Sequence, residues 1–127
     1  MKYLGIDFGT KRIGVAISDE NGEFAFPKAI LPAGGGIVES IALIVKKEQI
    51  GTIVIGESLA SNGTENALVA QTKKFKEKLE QAFVVPVVFE REGYSTVEAH
   101  RYQPKAGNRD DSAAAIILQR YLDKTRK

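Results

Sequence analysis

The stretch YLGIDFGTKRIGVAISD, residues 3–19, decides the fold. Tyr3, Leu4 and Ile6 form a short apolar run that ends on Asp7, and Ile13 to Ile17 form a second. Two β-rich runs joined by a short polar connection with Gly9 predict a hairpin. Asp7 stands out, because a carboxylate within an apolar strand is costly to bury without a partner. An aspartate before Gly-Thr ordinarily caps the turn through its side chain. Gly9 and Gly14 add a second reading, since glycine within or beside strands often marks the close approach of a ligand or another backbone. A strand-borne carboxylate beside Gly-Thr suits a metal-bound phosphate, and the hairpin alone leaves both readings open.

Working outward, Asp19-Glu20-Asn21-Gly22 is a turn signal whose Asn-Gly favours a tight hairpin. A third strand is expected from Glu23 to about Leu31, with Pro27 arguing for the sheet edge. Gly34-Gly35-Gly36 reads as a connection, because no Lys-Ser/Thr follows as a phosphate-binding P-loop requires. Ile37, Ile41, Ile44 and Val45 keep helical spacing over residues 37–49. The β-branched run from Ile50 to Gly56 reads as a buried parallel strand. A long helix to about Ala82 follows, with Ala67, Ala70, Phe75 and Leu79 on its apolar side, then a strand over Val84 to Phe89. Ser95 or Thr96 is expected to cap a short helix through His100, and residues 103–108 read as a loop. The last helix is expected from about Asp110 to Lys124, burying Ala114, Ile117, Leu118 and Tyr121. The order is β-β-β-α-β-α-β-α, an α/β fold with a mixed five-stranded sheet flanked by helices.

With 127 residues, the chain suits one domain with a real core, spanning 1–127. A composition of 43% hydrophobic and 27% charged residues is that of a globular protein and argues against disorder. No apolar run approaches the roughly 20 residues of a membrane span, and MKYLGIDFG carries its aspartate too early for a secretory signal. There is no cysteine, so disulfides and thiolate zinc sites are excluded and a cytoplasmic setting is expected. The single histidine, His100, excludes a histidine-cluster metal site. Any metal must therefore sit on oxygen ligands, which suits Mg²⁺ or Mn²⁺.

In open α/β sheets, ligands gather outside the carboxyl ends of the parallel strands. Asp7, Glu57 and the pair Glu90/Glu92 fall at such ends, and Asp111 opens the last helix. Each alone could be a cap, a turn residue or surface charge; four acidic positions converging from four elements point to a metal site. Net charge is only +2, so a polyanionic partner must be argued from distribution. Lys73, Lys74, Lys76 and Lys78 cluster on one expected helix, and Arg101, Lys105 and Arg109 precede the last. Lysine-rich helix faces ordinarily serve as solvated surface, so no single patch identifies a partner.

The segments GIDFGTKRIGVAISD (5–19), VIGESLASNGTE (54–65), EREGYSTVEAH (90–100) and DDSAAAIILQRYL (110–122) fall in the order and spacing of the YqgF family, also called RuvX. The chain resembles that family over nearly its whole length. The resemblance implies a ribonuclease H-like fold and a role as a Holliday junction resolvase or in maturing the 5′ end of 16S rRNA. The family's middle motif usually reads Asp-Glu-Arg-Leu-Ser/Thr-Thr, whereas residues 91–96 here are Arg-Glu-Gly-Tyr-Ser-Thr. After the central strand the family's proline, asparagine and aspartate are also absent. Asp7, Glu92 and Asp111 keep their places.

On this resemblance Asp7, Glu92 and Asp111 are the expected catalytic and metal-binding residues, with Glu57 or Glu90 as a possible further ligand. Lys11, Arg12 and Arg109 are the expected phosphate contacts. The expected cofactor is Mg²⁺ or Mn²⁺, the partner is branched DNA or precursor rRNA, and a homodimer would suit a symmetric junction. Two other readings compete. One is an inactive nucleic-acid or ribosome-associated factor, suggested by the altered middle motifs. The other is an ATP-binding phosphotransferase of the actin and sugar-kinase fold, which shares the opening motif but normally uses two such domains.

Overall fold

The computed structural model describes residues 1–9, 11–57, 67–91 and 110–125, with the side chains of 57, 67–69, 91 and 110–112 outside that description. Its elements are β1 (Lys2–Asp7), β2 (Arg12–Ser18), β3 (Ala25–Pro32), α1 (Ile37–Glu48), β4 (Ile50–Glu57), α2 (Ala67–Ala82), β5 (Val87–Arg91) and α3 (Asp110–Thr125). The strands form one sheet in the order β3-β2-β1-β4-β5. β1 and β3 pair antiparallel with β2, while β4 and β5 run parallel to β1. The expected α/β class and mixed five-stranded sheet are both present.

Alternation along the strands builds two cores, one on each face. Leu4, Ile6, Ile13, Val15, Ile53 and Ile55 face α1 and α2, where Ile37, Ile41, Phe75 and Leu79 cover them. Ala16 and Val54 face the other way and are covered by Ala114, Ile117, Leu118 and Leu122 of α3. β1 therefore reads both ways: Leu4 and Ile6 point to the α1/α2 side, and Tyr3 packs with α3.

Several boundaries differ from expectation for identifiable reasons. β3 starts at Ala25 because the Glu23 and Phe24 N–H groups donate to Asp19 Oδ1, at 2.8 and 3.2 Å. Asp19 and Gly22 (φ 69°) thus organise a longer turn than the Asn-Gly pair suggests. Pro27 does sit on the edge strand: Val15 pairs with Ala29 and Ala16 with Pro27, leaving Lys28 in a bulge. The last strand begins at Val87 instead of Val84. Pro86 lies just ahead of it, with its carbonyl accepting from Ile53 N–H at 2.9 Å, while Val84 is fully exposed. On α2, Thr72 takes the buried place expected for Ala70, since 72, 75 and 79 share one stripe and Ala70 falls off it. The short helix expected to end at His100 and the loop at 103–108 lie outside the described residues.

Candidate active site

The carboxyl ends of β1, β4 and β5 form one rim of the sheet, and Asp7 is the last residue of β1. Asp7 is half-buried. Its partner across β2 is Gly14, and on the other side Gly56 follows Ile55, the partner of Ile6. A carboxylate flanked by glycines on both neighbouring strands has room around it that larger side chains would take. Two residues upstream on the same face is Gly5. A Cβ there would lie 2.7 Å from Leu118 Cβ and 3.0 Å from the Ala114 carbonyl oxygen. Glycine at this position is what lets α3 lie directly on β1.

The direction of α3 then sets which end of β1 its first turn approaches. Tyr3 packs on Tyr121, with ring centroids 5.9 Å apart, and Gly5 packs on Leu118 and Ala114. The helix thus runs antiparallel to β1, and its first turn, Asp110 and Asp111, reaches the Asp7 end. Ala114 is only three residues past Asp111, about 4.5 Å of helical rise. Acidic residues in a first helical turn also face the positive end of the helix dipole.

Of the remaining expected ligands, Glu57 belongs to the same rim at the level of the backbone. Glu57 ends β4 and pairs in register with Arg91, the last residue of β5. Glu92 follows directly and lies outside the described residues, as does Arg109. Among the described residues, no three His, Cys, Asp or Glu groups gather closely enough to hold a metal. Lys11 lies in the β1–β2 connection and Arg12 opens β2 at the same rim, and both are exposed. A Cβ on Gly9 would meet the Arg12 carbonyl oxygen at 2.5 Å, so glycine keeps this connection tight. The Lys11 carbonyl accepts from Ala33 N–H at 2.9 Å, tying the connection to the segment before α1.

Glu90 is engaged elsewhere. It is 2% exposed and lies on the α3 face of β5. Its Oε2 stands 2.8 Å from the Lys124 ammonium and 3.9 Å from Arg120 Nε. Among the described residues no donor is aligned for a hydrogen bond to that oxygen, and its contacts there are the two charge pairings. Sequence reading missed this pairing; the available signal was the spacing of Arg120 and Lys124, four apart on one helical stripe.

Comparison with known proteins places this geometry. The family model RuvX, described as Holliday junction resolvase, matches residues 1–124. A relative from Maridesulfovibrio salexigens, named "Putative pre-16S rRNA nuclease", is 35% identical, over 96% of this chain and 98% of its own. Among solved structures, Thermus thermophilus RuvC in complex with a Holliday junction substrate superposes with a TM-score of 0.69 at 13% identity, covering 99% of this chain and 96% of that one. The fowlpox virus Holliday junction resolvase gives 0.60 at 14% identity, covering 98% and 99%. At those identities the structures establish a shared fold, the ribonuclease H-like architecture. Among the described residues, no helix is long and apolar enough to cross a membrane. The match over residues 1–124, together with that 35% identity over nearly both full lengths, makes this chain a member of the RuvX family.

Proposed function

We propose that this chain is a single-domain, divalent-metal-dependent endonuclease that hydrolyses phosphodiester bonds in structured nucleic acid. The substrate is the 5′ end of precursor 16S rRNA or a four-way DNA junction. The observation carrying the reading is the close packing of α3 on Gly5, which brings the Asp111 turn to the Asp7 end of β1. Family membership supports it independently.

In this reading Asp7, Glu92 and Asp111 hold the metal, with Glu57 as a further ligand. An all-oxygen donor set suits Mg²⁺ or Mn²⁺. When bound, such an ion lowers the pKa of water and stabilises charge on the phosphodiester oxygens. The chain's own contribution is position. Asp7 is fixed by the central strand of the sheet, and Asp111 by a helix that cannot slide without leaving its seat on β1. Lys11, Arg12 and Arg109 neutralise backbone phosphates, which gives affinity without base readout. A homodimer would present two such sites to a symmetric junction, and a cytoplasmic location fits both substrates.

Asp7→Asn tests the assignment, because it removes a charge and barely changes shape. Cleavage of precursor 16S rRNA and of a four-way junction should be abolished in Mg²⁺ and Mn²⁺, with an unchanged melting temperature. Wild-type cleavage of either substrate by the variant would remove Asp7 from the reaction.

A further inference from the structure

On the α1/α2 side of the sheet, away from Asp7, a cleft of about 350 Å³ opens between the β1–β2 connection, the glycines before α1 and one face of α2. Its apolar floor includes Phe8 and Phe75, Gly35 lies on one wall, and Gln71, Lys74 and Lys78 line the α2 side. Phe75 is buried and backs Phe8, with ring centroids 4.9 Å apart and planes tilted by 37°. Phe8 is only half-buried and keeps part of its ring on the cleft.

The cations need an explanation. Lys74 and Lys78 are exposed, four residues apart on one stripe of α2, where like charges repel. Between them Lys76 has a partner, Glu80 at 2.8 Å. Among the described residues no carboxylate pairs with Lys74 or Lys78, and none lines the cleft. Two unneutralised ammonium groups above an aromatic floor match a nucleotide in both parts. The base takes the apolar floor against Phe8, and the flanking phosphates take the lysines. The volume falls at the lower end of that for small-molecule sites, roughly 300 Å³ upward.

The geometry points to a binding site in this cleft for one unpaired nucleotide of the strand being cut. The inference rests on the nuclease reading of Asp7, which it deepens by naming the substrate class. Phe8 directly follows Asp7 at the end of β1, but the two side chains face opposite sides of the sheet, so a strand with its phosphate at Asp7 would pass over this rim to seat a neighbouring base at Phe8. A paired base could not enter without leaving its stack. The enzyme is therefore selective for cleavage beside a single-stranded flank.

Binding measured in EDTA separates this from catalysis. The probes are a fluorescein-labelled single-stranded decanucleotide, as DNA and as RNA, and a blunt duplex of the same sequence. A Cβ on Gly35 meets nothing within 4 Å, so Gly35→Leu narrows the cleft without straining the fold. Gly35→Leu and Phe8→Leu should each weaken single-strand binding by about five- to a hundredfold, the range for loss of one base–aromatic stack. Blunt-duplex binding should change less than twofold. Lys74→Gln with Lys78→Gln should flatten the salt dependence of single-strand binding by one to two phosphate contacts. The tighter of the DNA and RNA arms names the strand. Unchanged single-strand affinity in Gly35→Leu, or equal losses on single strand and duplex, would overturn the site. Asp7→Asn cleavage is scored separately: its survival would remove the nuclease reading while leaving the binding result to stand or fall alone.

Discussion

Gly5→Ala is the smallest change that strikes both the fold and the site. The added methyl would sit 2.7 Å from Leu118 Cβ and 3.0 Å from the Ala114 carbonyl oxygen. Neither neighbour can rotate away, since one is a Cβ and the other is backbone, so α3 as a whole must lift. Overpacking of this kind costs about 1–3 kcal/mol. For 127 residues at about 2.1 cal/mol/K per residue, the unfolding entropy is about 0.27 kcal/mol/K, so the melting temperature should fall by about 4–11 °C. Calorimetry or a circular-dichroism melt reads this directly. Nuclease activity measured well below the melting transition should fall further than stability explains, because a displacement of about 1 Å in a positioned group can cost on the order of a hundredfold. Leu118→Ala should not rescue the variant, since its Cβ remains. Gly35→Ala is the control: open space surrounds that Cβ, so stability should hold or rise by up to ~1 kcal/mol. If Gly5→Ala melts within about 0.5 kcal/mol of the parent, the close seating of α3 on β1 is wrong, and with it the placement of the Asp111 turn beside Asp7.

Glu92→Gln should lose far more activity and metal affinity than Glu90→Gln, read from paired rate measurements and Mg²⁺ titrations; the reverse order would move the ligand to Glu90. Glu90→Gln should instead lose about 1–3 kcal/mol of stability by leaving the Arg120 and Lys124 charges without their buried partner, checked by urea unfolding. Lys11→Ala and Arg12→Ala should each reduce the slope of log affinity against log salt by about 1, and unchanged slopes in both would take them out of the interface. Stability should also fall in acid. The backbone N–H groups of Glu23 and Phe24 hold Asp19 below the usual carboxylate range, and hydrogen bonds from Lys2 and Lys28 hold Glu48 below it. Both contributions are complete above the unfolded pKa values near 4 and vanish as pH falls through the lower folded ones. The Glu48 hydrogen bond raises Lys2, so its share is present below about 10.5 and is lost at higher pH. Asp19→Asn combined with Glu48→Gln should shift the acid midpoint; an unmoved midpoint would place acid sensitivity elsewhere.

Much of the fold could be read along the chain because its signals are local. Alternation in 3–7 and 13–17 marks the hairpin, and Pro27 marks the edge. The spacing of Ile37 and Ile41, and of Ala114, Ile117 and Leu118, marks faces that are indeed buried. What could not be read depends on contacts distant in sequence. Nothing near Asp19 says that its carboxylate will take two N–H groups and delay β3 to Ala25. Val84 and Val85 look like strand residues, and only the pairing of Ile53 with Val87 sets the start of β5. Gly5 looks like an ordinary weak point in a strand until α3 is laid over it. For the site, Asp7 and Glu57 were legible as strand ends, and the rim their backbones share follows from the parallel order of β1 and β4. The cleft at Phe8 was not legible, because its parts come from three separate segments with no shared motif.

The departure in the middle motif can be weighed from Glu90. Where the family has Asp-Glu-Arg, this chain has Arg91-Glu92-Gly93, and Glu90 is the nearest substitute for the lost acid. β5 continues through Arg91, so Glu90 lies within a strand, on the side that α3 covers. There it neutralises Lys124 and stands near Arg120. To serve a metal it would have to abandon both cations, leaving Arg120, whose side chain is 14% exposed, with one charge partner fewer. Desolvated charge without its partner is costly, so Glu90 is held where it is. With Glu90 so engaged, our proposal keeps Glu92, the next carboxylate along the chain, as the ligand this segment gives to the rim.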